Sequence, residues 1–465
     1  MFGQPRIKSK LKLIKLSWKK SPLEIFTSLH ENYNYAYILE SVEGSKKLAE
    51  YSFIGFEPQI LISVKDGIVD IYDRVRDEKE SFPVSDPLLP VKKIVGGERN
   101  IQCSFRFIGG AVGYISYDAI RYWEKLPERA VDDINFPDLE MAIYDDGIIF
   151  SHKTGEVFYY HFNESRLKEI ETIIEKNYDP EPLSYTDLRV NLKKEEFEEI
   201  VAKSKEYIFS GDIFQVVLSK RYELKFHGSL LPFYAVLREV NPSPYMFFLK
   251  MGKHQIVGSS PEMLVRVENG IIETFPIAGT KPRVRDDPFK DEVLARELLC
   301  DPKERAEHAM LVDLARNDIG KVSEFGSVHV PEFMMVHKYS HVQHIVSRVV
   351  GTLRRGYSCY DTLKAVFPAG TVSGAPKVRA MEIIEELEPV RRGPYAGAVG
   401  YFSYNGNSDF AITIRTLIAK GSRAYIQAGA GIVADSVPEK EWFETEYKVS
   451  ALLRALQFAS EEGAH

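Results

Sequence analysis

Gly109-Gly110-Ala111-Val112-Gly113-Tyr114-Ile115-Ser116-Tyr117-Asp118 is echoed in the C-terminal half by Ala396-Gly397-Ala398-Val399-Gly400-Tyr401-Phe402-Ser403-Tyr404-Asn405. Both stretches read as strands that tolerate glycine and alternate aromatics. The repetition points to two similar sheets meeting face to face, one from each half. Outward from these strands, the chain divides most naturally at 177–192, where Asp179-Pro180-Glu181-Pro182 and polar neighbours interrupt any periodicity. Region 12–176 shows short strands alternating with turns. Region 193–458 opens on an amphipathic helix, Lys194 to Phe209, and then mixes strands with helices.

A chain of 465 residues can bury large cores and fill two or three domain-sized units. Its formal net charge of −7 argues against nucleic acid as the main partner. No uncharged apolar run is long enough to span a membrane. The basic start, Lys10-Leu11-Lys12-Leu13-Ile14-Lys15-Leu16, alternates charge with Leu and Ile, which is the pattern of an edge strand guarded by lysines rather than of a targeting segment. Cys103, Cys300 and Cys359 have neither metal nor redox spacing and read as reduced thiols.

Two stretches carry carboxylates at helical spacing. In Asp301-Pro302-Lys303-Glu304-Arg305-Ala306-Glu307-His308, Asp301 suits an N-cap, Pro302 the first helical position, and Glu304 a capping box. Glu307 shares a helical stripe with Leu311 and Leu314. The second, Ser436-Val437-Pro438-Glu439, is again a capping signature, followed by Glu441, Glu444 and Lys448 at i, i+3 and i+7. Either helix alone reads as a solvated acidic face. A carboxylate on each of two inward faces instead suits Mg²⁺, which keeps waters and takes substrate oxygens as partners.

Between these helices, Phe367-Pro368-Ala369-Gly370-Thr371-Val372-Ser373-Gly374-Ala375-Pro376-Lys377 runs into a helical pattern, Val378 to Leu387. Thr371, Ser373 and Lys377 offer hydroxyls and a positive charge for a carboxylate or phosphate, without the spacing of a Walker loop. Phe410 to Ile418 reads as a strand that carries Arg415. Gln427-Ala428-Gly429-Ala430-Gly431-Ile432 has residues small enough to let an anion reach main-chain amides, or to pack strands tightly. Two anion sites beside a cation site suggest a small dicarboxylate substrate.

Longer words then carry a resemblance: Ile38-Leu39-Glu40-Ser41, Asn241-Pro242-Ser243-Pro244-Tyr245-Met246, Ser259-Ser260-Pro261-Glu262, Phe275-Pro276-Ile277-Ala278-Gly279-Thr280, Leu311-Val312-Asp313-Leu314-Ala315-Arg316-Asn317-Asp318 and the Gly370–Lys377 loop. In these, from about Leu13 to Phe458, the chain resembles the chorismate-utilising enzymes, and within them the anthranilate synthase large subunits. The resemblance implies an α+β fold, with two antiparallel or mixed sheets in a sandwich flanked by helices, and a cytoplasmic enzyme. It also implies Mg²⁺ held by Glu307 and Glu444, with Glu304 and Glu441 in the next layer. Arg415 and Tyr395 would grip the enolpyruvyl carboxylate, with Gly279, Thr280, Gly429, Ala430, Gly431 and Lys448 around the substrate. Glu262 would protonate the departing C4 hydroxyl, His344 would assist pyruvate elimination, and Thr371 would complete the pocket.

Two positions bear on the reaction. Relatives that deliver water carry a lysine base where this chain has Gln215, and a neutral amide cannot deprotonate water, whereas ammonia needs no base. Para-directed relatives, the aminodeoxychorismate synthases, usually carry a lysine where this chain has Ala278. The pair favours ortho amination by ammonia, with aminodeoxychorismate synthase as the nearest alternative and isochorismate synthase behind it. No cysteine nucleophile for glutamine hydrolysis is evident. The resemblance therefore implies a separate glutamine amidotransferase subunit.

It also implies a tryptophan feedback site from Glu40, Ser41, Asn241, Pro244, Tyr245 and Met246, although Glu50 and Lys281 depart from the family's common arginines. His337, His341 and His344 are spaced as for zinc on a helix. The β-branched run Val342 to Val350 reads instead as a strand that points His341 and His344 to opposite faces.

Overall fold

The structure is a computed structural model that describes residues 10–42, 50–96, 101, 103–176, 178–339 and 342–462. Among these residues, two twelve-stranded antiparallel sheets form a sandwich. Across the first, the strands run Lys12–Leu16, Glu156–His161, Asp146–Ser151, Tyr51–Phe56, Tyr35–Glu40, Tyr245–Met251, His254–Ser260, Thr416–Lys420, Arg423–Ile432, Gln215–His227 and Ser184–Val190, with Gly374–Ala375 beside Gln215–His227. Across the second they run Ile277–Pro282, Val342–Thr352, Ile271–Thr274, Met263–Glu268, Ser408–Ile412, Ala398–Ser403, Gly110–Ile115, Leu139–Tyr144, Ile60–Lys65, Ile68–Asp73 and Glu78–Pro83. His329–Lys338 flanks Val342–Thr352.

The echoed segments do not lie in opposing sheets. They are adjacent strands of the second sheet, with Gly113 opposite Gly400 and Val112 opposite Tyr401. The halves repeat each other about this pair and about the central pair of the first sheet, Tyr35–Glu40 with Tyr245–Met251. Leu139–Tyr144, Ile60–Lys65 and Ile68–Asp73 on one side answer Ser408–Ile412, Met263–Glu268 and Ile271–Thr274 on the other. Each half thus builds part of both sheets, and a boundary at 177–192 does not separate compact units. Nor is that stretch a free linker, because Ser184–Val190 is an edge strand paired with Gln215–His227.

Tyr37, Phe53 and Phe247 of the first sheet meet Ile62, Tyr114 and Tyr401 of the second in the inner core. On the outer face of the first sheet, Ile38, Phe248 and Ile426 are covered by helices Pro22–Asn32, Leu231–Val240 and Pro438–Glu462 through Phe26, Tyr234 and Leu456. Burying each such side chain contributes about 1.5–3 kcal/mol. Among the described residues, no helix is long and apolar enough to cross a membrane.

The chain changes sheets twice where it matters for the site. His254–Ser260 belongs to the first sheet and Met263–Glu268 to the second, so Pro261 and Glu262 form the crossing. Arg415 is likewise not on a continuous strand. Ser408–Ile412 ends in the second sheet, Thr416–Lys420 begins in the first, and Arg415 sits between them at φ +52°. The crossings lie side by side: Ile412 N–H donates to Glu262 O at 3.1 Å, and Ser259 N–H donates to Arg415 O at 3.1 Å.

Candidate active site

Helix Pro302–Gly320 begins as its sequence directs. Asp301 Oδ1 accepts from the N–H groups of Lys303 (2.9 Å) and Glu304 (3.3 Å), a cap worth about 0.5–2 kcal/mol. Glu304 does not return a bond to close a capping box. Its carboxylate lies over Gly279, where a Cβ would come within 2.7 Å of Oε2 and push it aside, and the φ of +67° favours glycine there. One turn on, Glu307 accepts from the Gln215 amide at 3.3 Å. From the facing side, helix Pro438–Glu462 brings Glu441, Glu444 and Lys448. The Lys448 ammonium donates to Glu444 at 2.6 Å and to Gly429 O at 2.8 Å.

These carboxylates repel one another. Burial raises Glu307, Glu304 and Glu441 above the usual carboxylate range. Glu444 adds to the rise at Glu307 and Glu441, and Glu307 adds to it at Glu304. Among the described residues, no three His, Cys, Asp or Glu side chains are close enough to cage a metal. Two facing carboxylates backed by two more, with their like charge only partly offset, fit a hard divalent cation that retains waters and do not fit a closed protein cage.

Beyond this acidic patch lie the two crossings. Glu262 is 9% exposed, and burial lifts its carboxyl to about 8 against the opposing pull of Thr371 and Lys448. Burial holds the Arg415 guanidinium below its ordinary value, and its Nη1 donates to Lys448 O at 2.7 Å. Tyr395 is buried and, with Glu444, lies within electrostatic reach of Arg415. His344 Nδ1 donates to Gly279 O at 2.7 Å, with the Thr280 hydroxyl at 3.2 Å, so its Nε2 carries the lone pair, and burial keeps the ring neutral. A Cβ at Gly431 would come within 2.7 Å of the Gln215 amide nitrogen. Ala430 turns its methyl away from the site, into the core with Val216 and Leu218. His337 stands opposite His344 in the neighbouring strand, and His341 lies outside the described residues.

The anion reading of Ser373 and Lys377 fails. Lys377 Nζ donates to Asp318 (2.6 Å) and Val366 O (2.8 Å), and the Ser373 hydroxyl donates to Ala369 O (2.8 Å), so both hold the loop together. A residue with no sequence signal beyond the run Arg391-Arg392-Gly393-Pro394-Tyr395 proves central. Arg392 is 1% exposed and pairs with Glu388 at 2.6 Å. It donates to Val372 O and Val217 O, each at 2.7 Å, and faces the Tyr395 ring at 5.7 Å.

A second cavity opens between the central strands. Ser41, Pro244 and Tyr245 line it together with Arg106, Arg266, Tyr401 and Asp409. The Ser41 hydroxyl is buried there with no hydrogen-bond partner among the described residues. Beneath, Tyr245 donates to Asp409 at 2.9 Å, and Asp409 also pairs with Arg266 at 2.7 Å. Glu40 and Met246 also border the cavity, and their side chains have partners outside it. Glu40 is taken by Tyr234 (2.7 Å) and Arg238 (2.6 Å), and Met246 packs under helix Leu231–Val240. Asn241 stands behind the cavity, with its amide on the Ser259 hydroxyl at 3.2 Å. Glu50 is paired with Arg106 at 2.6 Å, so its negative charge is met at the cavity wall.

The chorismate binding enzyme family profile matches residues 81–454. The chain is 50% identical over 443 residues to anthranilate synthase component 1 of Methanothermobacter marburgensis, covering 95% of this chain and 94% of that one. It is 42% identical to aminodeoxychorismate synthase component 1 of Bacillus subtilis, covering 96% of each. Among solved structures, anthranilate synthase component I from Streptococcus pneumoniae superposes with a TM-score of 0.77 at 38% identity, covering 88% of this chain and 93% of that chain.

Proposed function

Because this chain belongs to the chorismate binding enzyme family, we propose that it is the chorismate-aminating component of an anthranilate synthase, working in the cytoplasm with a glutamine-hydrolysing partner. The observation that carries this reading is the pairing, at two adjacent sheet crossings, of a carboxyl protonated at neutral pH with a desolvated arginine. Glu262 donates its proton to the C4 hydroxyl, which leaves as water while ammonia forms the new C–N bond at ring position 2. The amino group then sheds its surplus proton. Pyruvate is eliminated in a second step, in which the C2 proton is lost, the enolpyruvyl methylene is protonated and the ring becomes aromatic. His344, with Nδ1 anchored on Gly279, presents Nε2 for that proton movement. Arg415 and Tyr395 hold the enolpyruvyl carboxylate. Glu307 and Glu444 would hold Mg²⁺, which supplies charge neutralisation at the ring carboxylate.

Gln215 and Ala278 set the outcome. The Gln215 amide is committed to Glu307 and is no base, and Ala278 offers no amine to attack the ring. The test is the product. With chorismate, Mg²⁺ and an ammonium salt, the purified chain should release pyruvate and ortho-aminobenzoate, resolved from the para isomer by chromatography. Turnover should increase with the free-ammonia fraction as pH rises toward 8, and glutamine should not substitute. Para product, or glutamine-driven turnover without a partner, contradicts the reading.

The central cavity is assigned to tryptophan. Its aromatic walls and buried Ser41 hydroxyl suit an indole-bearing amino acid, and the loop behind it reaches the site through Asn241, Ser259 and Arg415. Ser41→Phe fills the cavity and should abolish the calorimetric tryptophan signal while leaving turnover intact. Undiminished binding to that variant excludes this cavity.

A further inference from the structure

His308 follows Glu307 directly, is fully buried, and has no part in the chemistry above. Its Nε2 shares a 2.6 Å hydrogen bond with the Ser347 hydroxyl, which is also fully buried. Ser347 joins three elements. Its Oγ accepts from Met334 N–H at 2.9 Å, at a point where strand His329–Lys338 shifts register and Met334 has φ +52°. Its own N–H donates to Pro276 O at 3.2 Å, at the entry to strand Ile277–Pro282. It lies three residues beyond His344 on the same strand, Val342–Thr352.

The two elements joined by this bond carry different parts of the site. Helix Pro302–Gly320 brings Glu304 and Glu307. Strands Ile277–Pro282 and Val342–Thr352 bring Gly279, Thr280 and His344. Apolar packing alone lets a helix rotate or slide slightly on a sheet, whereas a short buried hydrogen bond next to Glu307 does not. A shift of even 1 Å between groups that must act together can cost about 10²-fold in rate.

We propose that His308, through the Ser347 hydroxyl, is the positioning residue that registers the carboxylates of helix Pro302–Gly320 against the strand edge bearing Gly279 and His344. This rests on the metal and substrate roles proposed above for Glu307 and His344. Losing the bond should loosen both cation binding and the catalytic alignment, and should do so while the fold persists.

The test uses full-length protein and Mn²⁺ alone as probe, followed by electron paramagnetic resonance without substrate and paired with steady-state kinetics and melting. Ser347→Ala should weaken Mn²⁺ binding and lower kcat/KM for chorismate by on the order of tenfold each, the low end for outer partners of metal ligands. His308→Gln, whose amide can reach the same hydroxyl, should recover part of what His308→Leu loses. If His308→Leu does not fold, Ser347→Ala and His308→Gln still decide the matter. A lower melting temperature with unchanged Mn²⁺ affinity and kinetics would mean that the bond only packs the core, and overturns the inference alone. Wild-type protein that takes up no Mn²⁺ overturns the metal reading and this inference with it.

Discussion

Replacing Glu262 by Gln should lower kcat by about 10²–10⁴-fold, the usual contribution of a general acid, with KM for chorismate changed by no more than about threefold. The reasoning starts from burial. A carboxyl at 9% exposure, with only Thr371 and Lys448 opposing its desolvation, reaches about 8 and is therefore mostly protonated at neutral pH. The acid form is the competent one, so the sign is fixed. Below about 8 the wild-type rate per free ammonia molecule is level, and above it the rate falls tenfold per pH unit as the carboxyl ionises. Expressing the rate per free NH₃ removes ammonium's own titration from the profile. Gln keeps the size and hydrogen-bonding capacity of Glu but has no proton to give, so Glu262→Gln should lose both the rate and the descending limb. A descending limb retained in the variant would assign the acid to another group.

How far the sequence could reach depended on what each residue's neighbours contribute. Helix Lys194–Phe209 and the Asp301 cap were legible because local propensity and capping decide them. The resemblance implied that Glu262, Glu307, Arg415 and Glu444 belong to one site. What was not legible was non-local. Phe410 to Ile418 is uniformly strand-like in composition, and nothing in it signals that Arg415 adopts φ +52° as the chain leaves one sheet for the other. The repeated glycine strands announced a duplication, but pairing edge to edge rather than face to face is a property of register. Side-chain partners were out of reach in the same way at Glu40 and Met246. They border the cavity, yet their side chains are also held by helix Leu231–Val240. Lys377 looked like an anion ligand because Asp318, far back in the sequence, is what neutralises it. Arg392 escaped notice for the complementary reason, since beyond Glu388, four residues back, its partners are carbonyls of two distant segments.

Arg415→Gly separates function from stability at the second crossing. A non-glycine residue in the left-handed region costs about 1–3 kcal/mol, which glycine relieves, while glycine's extra freedom in the unfolded chain opposes folding by about 0.5–1 kcal/mol. The two effects nearly cancel, so the variant should melt within a few degrees of wild type. Its hold on substrate should not survive. Arg415 spends Nη1 on Lys448 O and stands half-buried beside Tyr395, which leaves the rest of its fork to receive a carboxylate where water competes poorly. Hydrogen bonds to charged groups contribute about 1.5–3 kcal/mol, so removing the guanidinium should raise KM for chorismate by about 10- to 150-fold. Arg415→Lys restores charge but not the planar fork, and it retains the strained φ. It should recover less than half of that loss in free energy while being no more stable than wild type. An Arg415→Gly protein that binds chorismate normally would free the strained corner from any role in holding substrate. The left-handed conformation would then need an explanation in the packing of Thr413 to Thr416 alone.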